Sequence, residues 1–198
     1  MEKPWFTPLV WMDYRLAVLF TVIFPLVLLI WAVVQKSEPI QRLMVIYWRV
    51  ASLLAITVYL MIAAIPISFV SSLMARILIP VSLWFWTDIN EEINELPQPS
   101  LKLALTSWRW AITIYNTLGS IVQLWFLGCA FSKTPLINDN YCNVWLQPPL
   151  LFKQYFHPKT SIGLLGFLGV VGLVIYIACL CYFIFVKLSR QGRSAIEH

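Results

Sequence analysis

SFVSSLMARILIPVSLWFWTDINEEINEL, residues 68–96, decides how the chain is read. Its first twenty residues are apolar enough to cross a bilayer. Arg76 nevertheless sits inside that run, and Asp88, Glu91, Glu92 and Glu95 follow it directly. A charge at the bilayer centre costs at least ~2.5–3.5 kcal/mol on insertion scales. Arg76 is therefore expected to face the protein interior or a partner. The other arginines of the apolar runs, Arg49 and Arg109, lie close to the expected helix starts, from which they can snorkel to the interface.

Composition agrees with a membrane reading. The 198 residues are 60% hydrophobic and 12% charged, with 10 Trp. A water-soluble domain of this size could not build a polar exterior from so few charges. The expected fold is all-α: one polytopic transmembrane helical bundle over 1–198, with no separate soluble domain. Five spans are expected, near 16–34, 44–65, 67–87, 105–131 and 162–187. Each has roughly the 20 apolar residues that a ~30 Å hydrocarbon core requires. Pro66 separates the second and third spans by almost nothing and predicts a tight hairpin. Pro25 and Pro80 lie inside spans, where each removes a backbone donor and predicts a kink. The start MEKPWFTPLVWMDYR lacks the features of a secretory signal, so the first span is expected to be retained.

Two polar connections remain. Residues 88–104 read as an acidic loop ending in LPQPS. Residues 132–161 form the longest loop, whose middle is too short and Pro-rich to span. Trp145, Phe152, Tyr155 and Phe156 suit a segment lying at headgroup level. Basic residues divide almost evenly between the two sides. The cluster Lys187, Arg190, Arg193 after the last span favours a cytoplasmic C-terminus, which places the N-terminus and the 132–161 loop outside. Cys129 and Cys142 then share the outer face, where a disulfide between them would pin the loop to the fourth helix. A net charge of +5 without a concentrated basic face argues against nucleic acid as a partner and for lipid headgroups.

Several features could carry function. Arg76 reads as a structural cation, as a partner- or lipid-binding cation, or as a charge on a transport path. Its candidate mates are Asp13, carbonyls freed by Pro25 or Pro80, and an acid on another subunit. Asp88, Glu91, Glu92 and Glu95 read as a solvated cap or as a docking surface for a basic partner. No His or Cys accompanies them, so a metal site is not expected. Gly163, Gly166, Gly169 and Gly172 recur every third residue and draw a winding groove along the last span. Such a groove receives a neighbouring helix of the same bundle, or a pigment, lipid or foreign helix. Cys179 and Cys181 point to different faces of one helix and form neither a redox motif nor a metal pair. The two histidines, His157 and His198, lie outside the spans, which excludes a bis-His haem within the bundle. No Cys–His, Ser–His–Asp or paired-carboxylate constellation is evident, and the chain is expected to be non-catalytic. PLVLLIW (25–31) against PVSLWFW (80–86), with WRVA (48–51) against WRWA (108–111), hints at a duplicated hairpin.

Four blocks together, WFTPLVWMDYRLAVLF (5–20), LIPVSLWFWTDINEE (78–92), QPPLLFKQYFHPKTSIGLLGFLG (147–169) and RQGRSA (190–195), resemble a family of small cyanobacterial integral membrane proteins filed as a domain of unknown function. The resemblance implies a cyanobacterial thylakoid or plasma membrane and tilts the reading towards photosynthesis. It carries over no catalytic or binding residue. Two functions follow as expectations: an accessory or assembly subunit that docks on a larger membrane complex, or a small oligomeric transporter or channel that uses Arg76.

Overall fold

The computed structural model describes residues 4–97, 99–132 and 135–188, which are helical apart from short connections. Seven helices follow in order: α1 (Thr7–Val34), α2 (Glu38–Ile62), α3 (Ile67–Trp84), α4 (Thr87–Asn94), α5 (Pro99–Trp125), α6 (Asn143–Phe156) and α7 (Ile162–Leu188). The fold is an all-α bundle. Four helices, α1, α2, α3 and α7, are long and apolar enough to cross a membrane.

The sequence expectation of a fifth span falls on α5. This helix has 27 residues, about 40 Å at ~1.5 Å per residue, so it has the length. What it lacks is mean hydropathy, and burial gives the reason. Its polar residues Arg109, Asn116 and Gln123 all point inward. Its outward stripe is Leu103 and then, from Trp110 on, Ile114, Leu118, Ile121 and Trp125, spaced by three and four. An average over the whole helix hides an apolar outer face.

Helices α1, α2, α3 and α5 form a ring, each packed on the next, while α7 lies outside it against α2. The ring closes through the second half of α1, whose partners are α2 and α5; the first half, Thr7–Val18, chiefly meets α6 instead. Two apolar cores result. The one at the α4 end gathers Leu28, Tyr47, Leu83, Ile89 and Trp108; the one at the α6 end gathers Phe6, Phe69, Leu136, Trp145 and Leu146. A polar layer between them holds Asp13, Arg76, Tyr115 and the Thr57–Ser71 hydroxyl pair at 2.6 Å.

Local chemistry explains the turns. Lys36 and Ala64 adopt left-handed backbone, φ 53° each, two residues past a helix end. The following amides reach back to Ala32 and Leu60 carbonyls, closing α1 and α2 in the same way. Pro39 and Pro66 then open α2 and α3, so the hairpin expected at Pro66 is present.

Pro25 is accommodated by a π-turn over Leu19–Ile23. The amide of Phe24 bonds Leu19, and Pro25 has no N–H to offer Phe20 or Thr21. Those two carbonyls are taken from outside: Trp108 Nε1–H donates to Phe20 at 2.9 Å, and the Tyr47 hydroxyl donates to Thr21 at 2.6 Å. The break in α1 is thus pinned to α5 and to α2. Tyr47→Phe leaves a buried carbonyl short of a donor and is expected to lower stability by about 1–3 kcal/mol. Thermal unfolding in detergent reads this directly; a wild-type midpoint would mean that the Thr21 carbonyl has another donor.

Two connections differ from expectation. Residues 88–104 are not a loop: Thr87–Asn94 is a helix, and α5 already begins at Pro99. Ile89 and Ile93, four apart, are buried and fix α4 to the core while Glu91 is exposed. The 132–161 loop contains α6, which covers one end of the bundle. Tyr155 and Phe156 are exposed, as an interfacial segment requires, but Trp145 is buried edge-on against Phe126 at 5.1 Å.

Candidate functional site

The site grows from Arg76, ten residues into α3 and 7% exposed. Its Nη2 donates to Asp13 Oδ2 at 2.5 Å. Asp13 belongs to α1, the helix of the first candidate span, because α1 begins at Thr7 and not near residue 16. That helix therefore contains the acid that meets Arg76. Tyr115 on α5 completes the cluster. Its hydroxyl donates to Asp13 Oδ1 at 2.9 Å, and its ring lies 5.4 Å from the guanidinium carbon. Phe20 stacks on Tyr115 from the α1 side, centroids 5.6 Å apart. Three helices of the ring converge on one ion pair.

Gly119 makes this arrangement fit. It lies one turn beyond Tyr115, on the same face of α5. A Cβ there would overlap Arg76 Nη1, so the guanidinium rests where a side chain would stand. Nη1 itself is buried without an acceptor. Beside this floor, α1 and α5 diverge and leave a cleft of about 890 Å³. Phe6, Trp125, Phe126, Tyr141 and Trp145 supply most of its aromatic wall. Leu9 and Met12 on α1, with Leu118 and Val122 on α5, line it and are exposed, so the cleft opens sideways.

The other candidate residues lie elsewhere. Arg109 does not snorkel. Because α5 starts at Pro99, this residue is about 15 Å along the helix, and it is 4% exposed. Its Nη2 donates to the Leu83 carbonyl at 2.5 Å and to Asn90 Oδ1 at 2.8 Å, while its guanidinium stacks over Trp84 at 4.0 Å. Arg109 therefore fastens α4 and the end of α3 to α5. Its partner in the hinted repeat, Arg49, is exposed on α2, so the two positions do not share an environment.

The acids stand on α4, far from Arg76. Glu91 and Glu95 are exposed, Asp88 and Glu92 are half-buried, and Glu92 approaches Arg42 only to 3.9 Å. Three of the four glycines of α7 are already occupied by the protein's own α2. Ideal Cβ atoms at Gly166 and Gly169 would lie 2.6 Å from Ala63 and 3.1 Å from the Leu60 backbone, and Gly172 faces Ile56 at 3.2 Å. The winding groove is therefore a helix–helix contact, and only Gly163 faces open space. Since α7 is held chiefly by this stripe, Gly169→Leu is expected to loosen it, at about 1–3 kcal/mol. Faster proteolysis between α6 and α7 would reveal the loosening, and wild-type resistance would contradict it.

Cys129 and Cys142 are joined by a disulfide, and both line the cleft. Cys179 and Cys181 are free and exposed on α7. His157 follows α6 and meets the Tyr59 hydroxyl at 3.3 Å.

A family model described as "Protein of unknown function (DUF3177)" matches residues 7–196. The chain belongs to this family. No curated protein and no solved structure matches it. In this DUF3177 member, the Arg76–Asp13 pair was readable from the sequence, since Asp13 was a named mate. Tyr115 and Gly119 were not. A signal existed: Tyr115, Gly119 and Gln123 recur every fourth residue on α5, which places them on one face of that helix.

Proposed function

We propose that this is a non-catalytic integral membrane protein that acts by binding, as an accessory or assembly subunit docked on a larger membrane complex. The observation that carries this reading is the shape of the cleft. It opens sideways beside α1 and α5 and ends at the Arg76–Asp13–Tyr115 floor. Beyond that floor α1 is pinned to α2 and α5 by Tyr47 and Trp108. A recess backed by packed helices suits a binding partner better than a permeation route. Glu91 and Glu95 on α4 give the opposite end an acidic face for a basic partner segment.

The spanning count is part of the same proposal. The inward polar residues and outward apolar stripe of α5 support a fifth crossing, which puts the 132–161 region and the N-terminus on one side. The resemblance to cyanobacterial membrane proteins supports a thylakoid or plasma membrane as the host, and a photosynthetic complex as the partner.

Gentle purification of tagged protein from its native membrane, with mass spectrometry of what accompanies it, tests the reading. Stoichiometric subunits of a larger complex are expected. Migration alone on native gels under several growth conditions would overturn it. The rival is a small transporter or channel. Arg76-dependent flux of an ion in proteoliposomes would establish that rival, and none is expected.

A further inference from the structure

We propose that the cleft between Thr7–Val18 of α1 and the second half of α5 binds an uncharged, lipid-soluble molecule with a hydrogen-bond-accepting head, the head resting at Arg76 and the tail leaving sideways into the bilayer. The inference deepens the binding reading above and rests on it. Size is the first argument. About 890 Å³ falls inside the ~300–1,000 Å³ usual for small-molecule sites. Access is the second. Leu9, Met12, Leu118 and Val122 make an exposed apolar rim, so a ligand enters from lipid without crossing the headgroups.

Charge and hydrogen bonding select the head. Arg76 is more than nine-tenths buried, lines the cleft, and has Nη1 without an acceptor. A buried donor left unmade is costly, and an arriving acceptor recovers that cost. That acceptor has no need to be an anion. Asp13 already neutralises Arg76, and Asp139 adds a second carboxylate to the lining. Among the described lining residues one cation stands with two acids, so a fatty-acid or phosphate head meets net repulsion. A neutral carbonyl or hydroxyl oxygen does not. The aromatic wall of Phe6, Trp125, Phe126, Tyr141 and Trp145 further favours a flat head, since rings stack on flat partners.

The experiment uses the full chain, delipidated in mild detergent, and three probes: decyl-benzoquinone, oleate and hexadecane. The quinone supplies neutral carbonyl acceptors on a flat ring and quenches tryptophan fluorescence, which Trp125 and Trp145 report. Saturable quenching by the quinone is expected, with hexadecane competing at least about tenfold more weakly, the share of one hydrogen bond, and oleate at least as weakly through repulsion by the acids. Val122→Trp fills the recess from an exposed position away from the ion pair. It is expected to weaken quinone binding about tenfold while leaving the unfolding midpoint unchanged. Equal competition by hexadecane would reduce the site to a groove for tails and overturn the proposal. Stronger binding of oleate would overturn it in favour of an anion site. So would quenching that never saturates, or that Val122→Trp leaves intact. The accessory reading fails separately: a chain that binds the quinone but purifies without partners keeps this inference and loses that one.

Discussion

Asp13→Ala is expected to destabilise the protein by about 3–5 kcal/mol, the usual loss when a buried ion pair is broken from one side. The guanidinium would keep its place in the middle of α3 with its acceptor gone. Neither escape route is open to it. Gly119 and Tyr115 hold it against α5, and its own helix carries no acid, since Asp88 and the acids after it stand beyond Trp84 on α4 and at its end. Arg76→Leu should cost less, because Asp13 keeps the Tyr115 hydroxyl and is itself a quarter exposed. The combined change Asp13→Leu with Arg76→Leu removes both charges and is expected to recover most of the loss, since an apolar pair of similar volume replaces a buried ion pair at little cost. Unfolding midpoints of the wild type, both single variants and the double variant in one detergent measure the coupling. Additive losses would mean that the two side chains do not depend on each other.

The recovery in the double variant also separates stability from function. If the ion pair only supports α1, the double variant should keep every partner it has. If Arg76 meets a ligand, the double variant should fold well and bind poorly. Folding and binding would then respond in opposite directions to the same two substitutions.

Much of the fold was legible because bilayers impose simple rules. Apolar runs gave the long helices, and Pro66 gave the hairpin, since a proline between two such runs can begin a helix but not continue one. Arg76 announced itself by being costly where it stands. Asp13 was legible as a mate for the same reason, although the first span was drawn too late to contain it. Other features depend on which faces meet, and a single sequence does not contain that. Gly119 matters only because α5 lies against α3 in a register that puts it under a guanidinium. The glycine stripe of α7 was visible, yet its occupant, α2, was not. Arg109 was placed at an interface because the start of α5 was put at 105, when the helix runs from Pro99. In α4 the acids drew attention away from Ile89 and Ile93, whose spacing of four is the helical signal.

Removing the disulfide is the second large change. Cys129 and Cys142 are thirteen apart, and closing a loop of that order is worth about 3 kcal/mol in the chain-entropy account. Cys129→Ser with Cys142→Ser is expected to lose about that much. The loss should be local in its consequences. The bond ties the turn after α5 to the start of α6, where Cys129, Cys142 and Trp145 share an apolar core with Phe6 of the α1 end. The Tyr47 and Trp108 bonds at the far side of the polar layer do not depend on it. The double serine variant should therefore unfold at a lower temperature while α2, α3 and α7 stay packed, and the part of the cleft lined by residues 129 and 142 should loosen first. Hydrogen exchange that rises in 127–156 and not in 38–84 would show this; a uniform rise would show that the two ends unfold as one. Alkylation of the wild type in intact membranes adds orientation. Cys129 and Cys142 resisting a thiol reagent until a reductant is added fits a loop facing an oxidising compartment. Free reaction without reductant would place the loop, and with it α6, on the reducing side of the membrane.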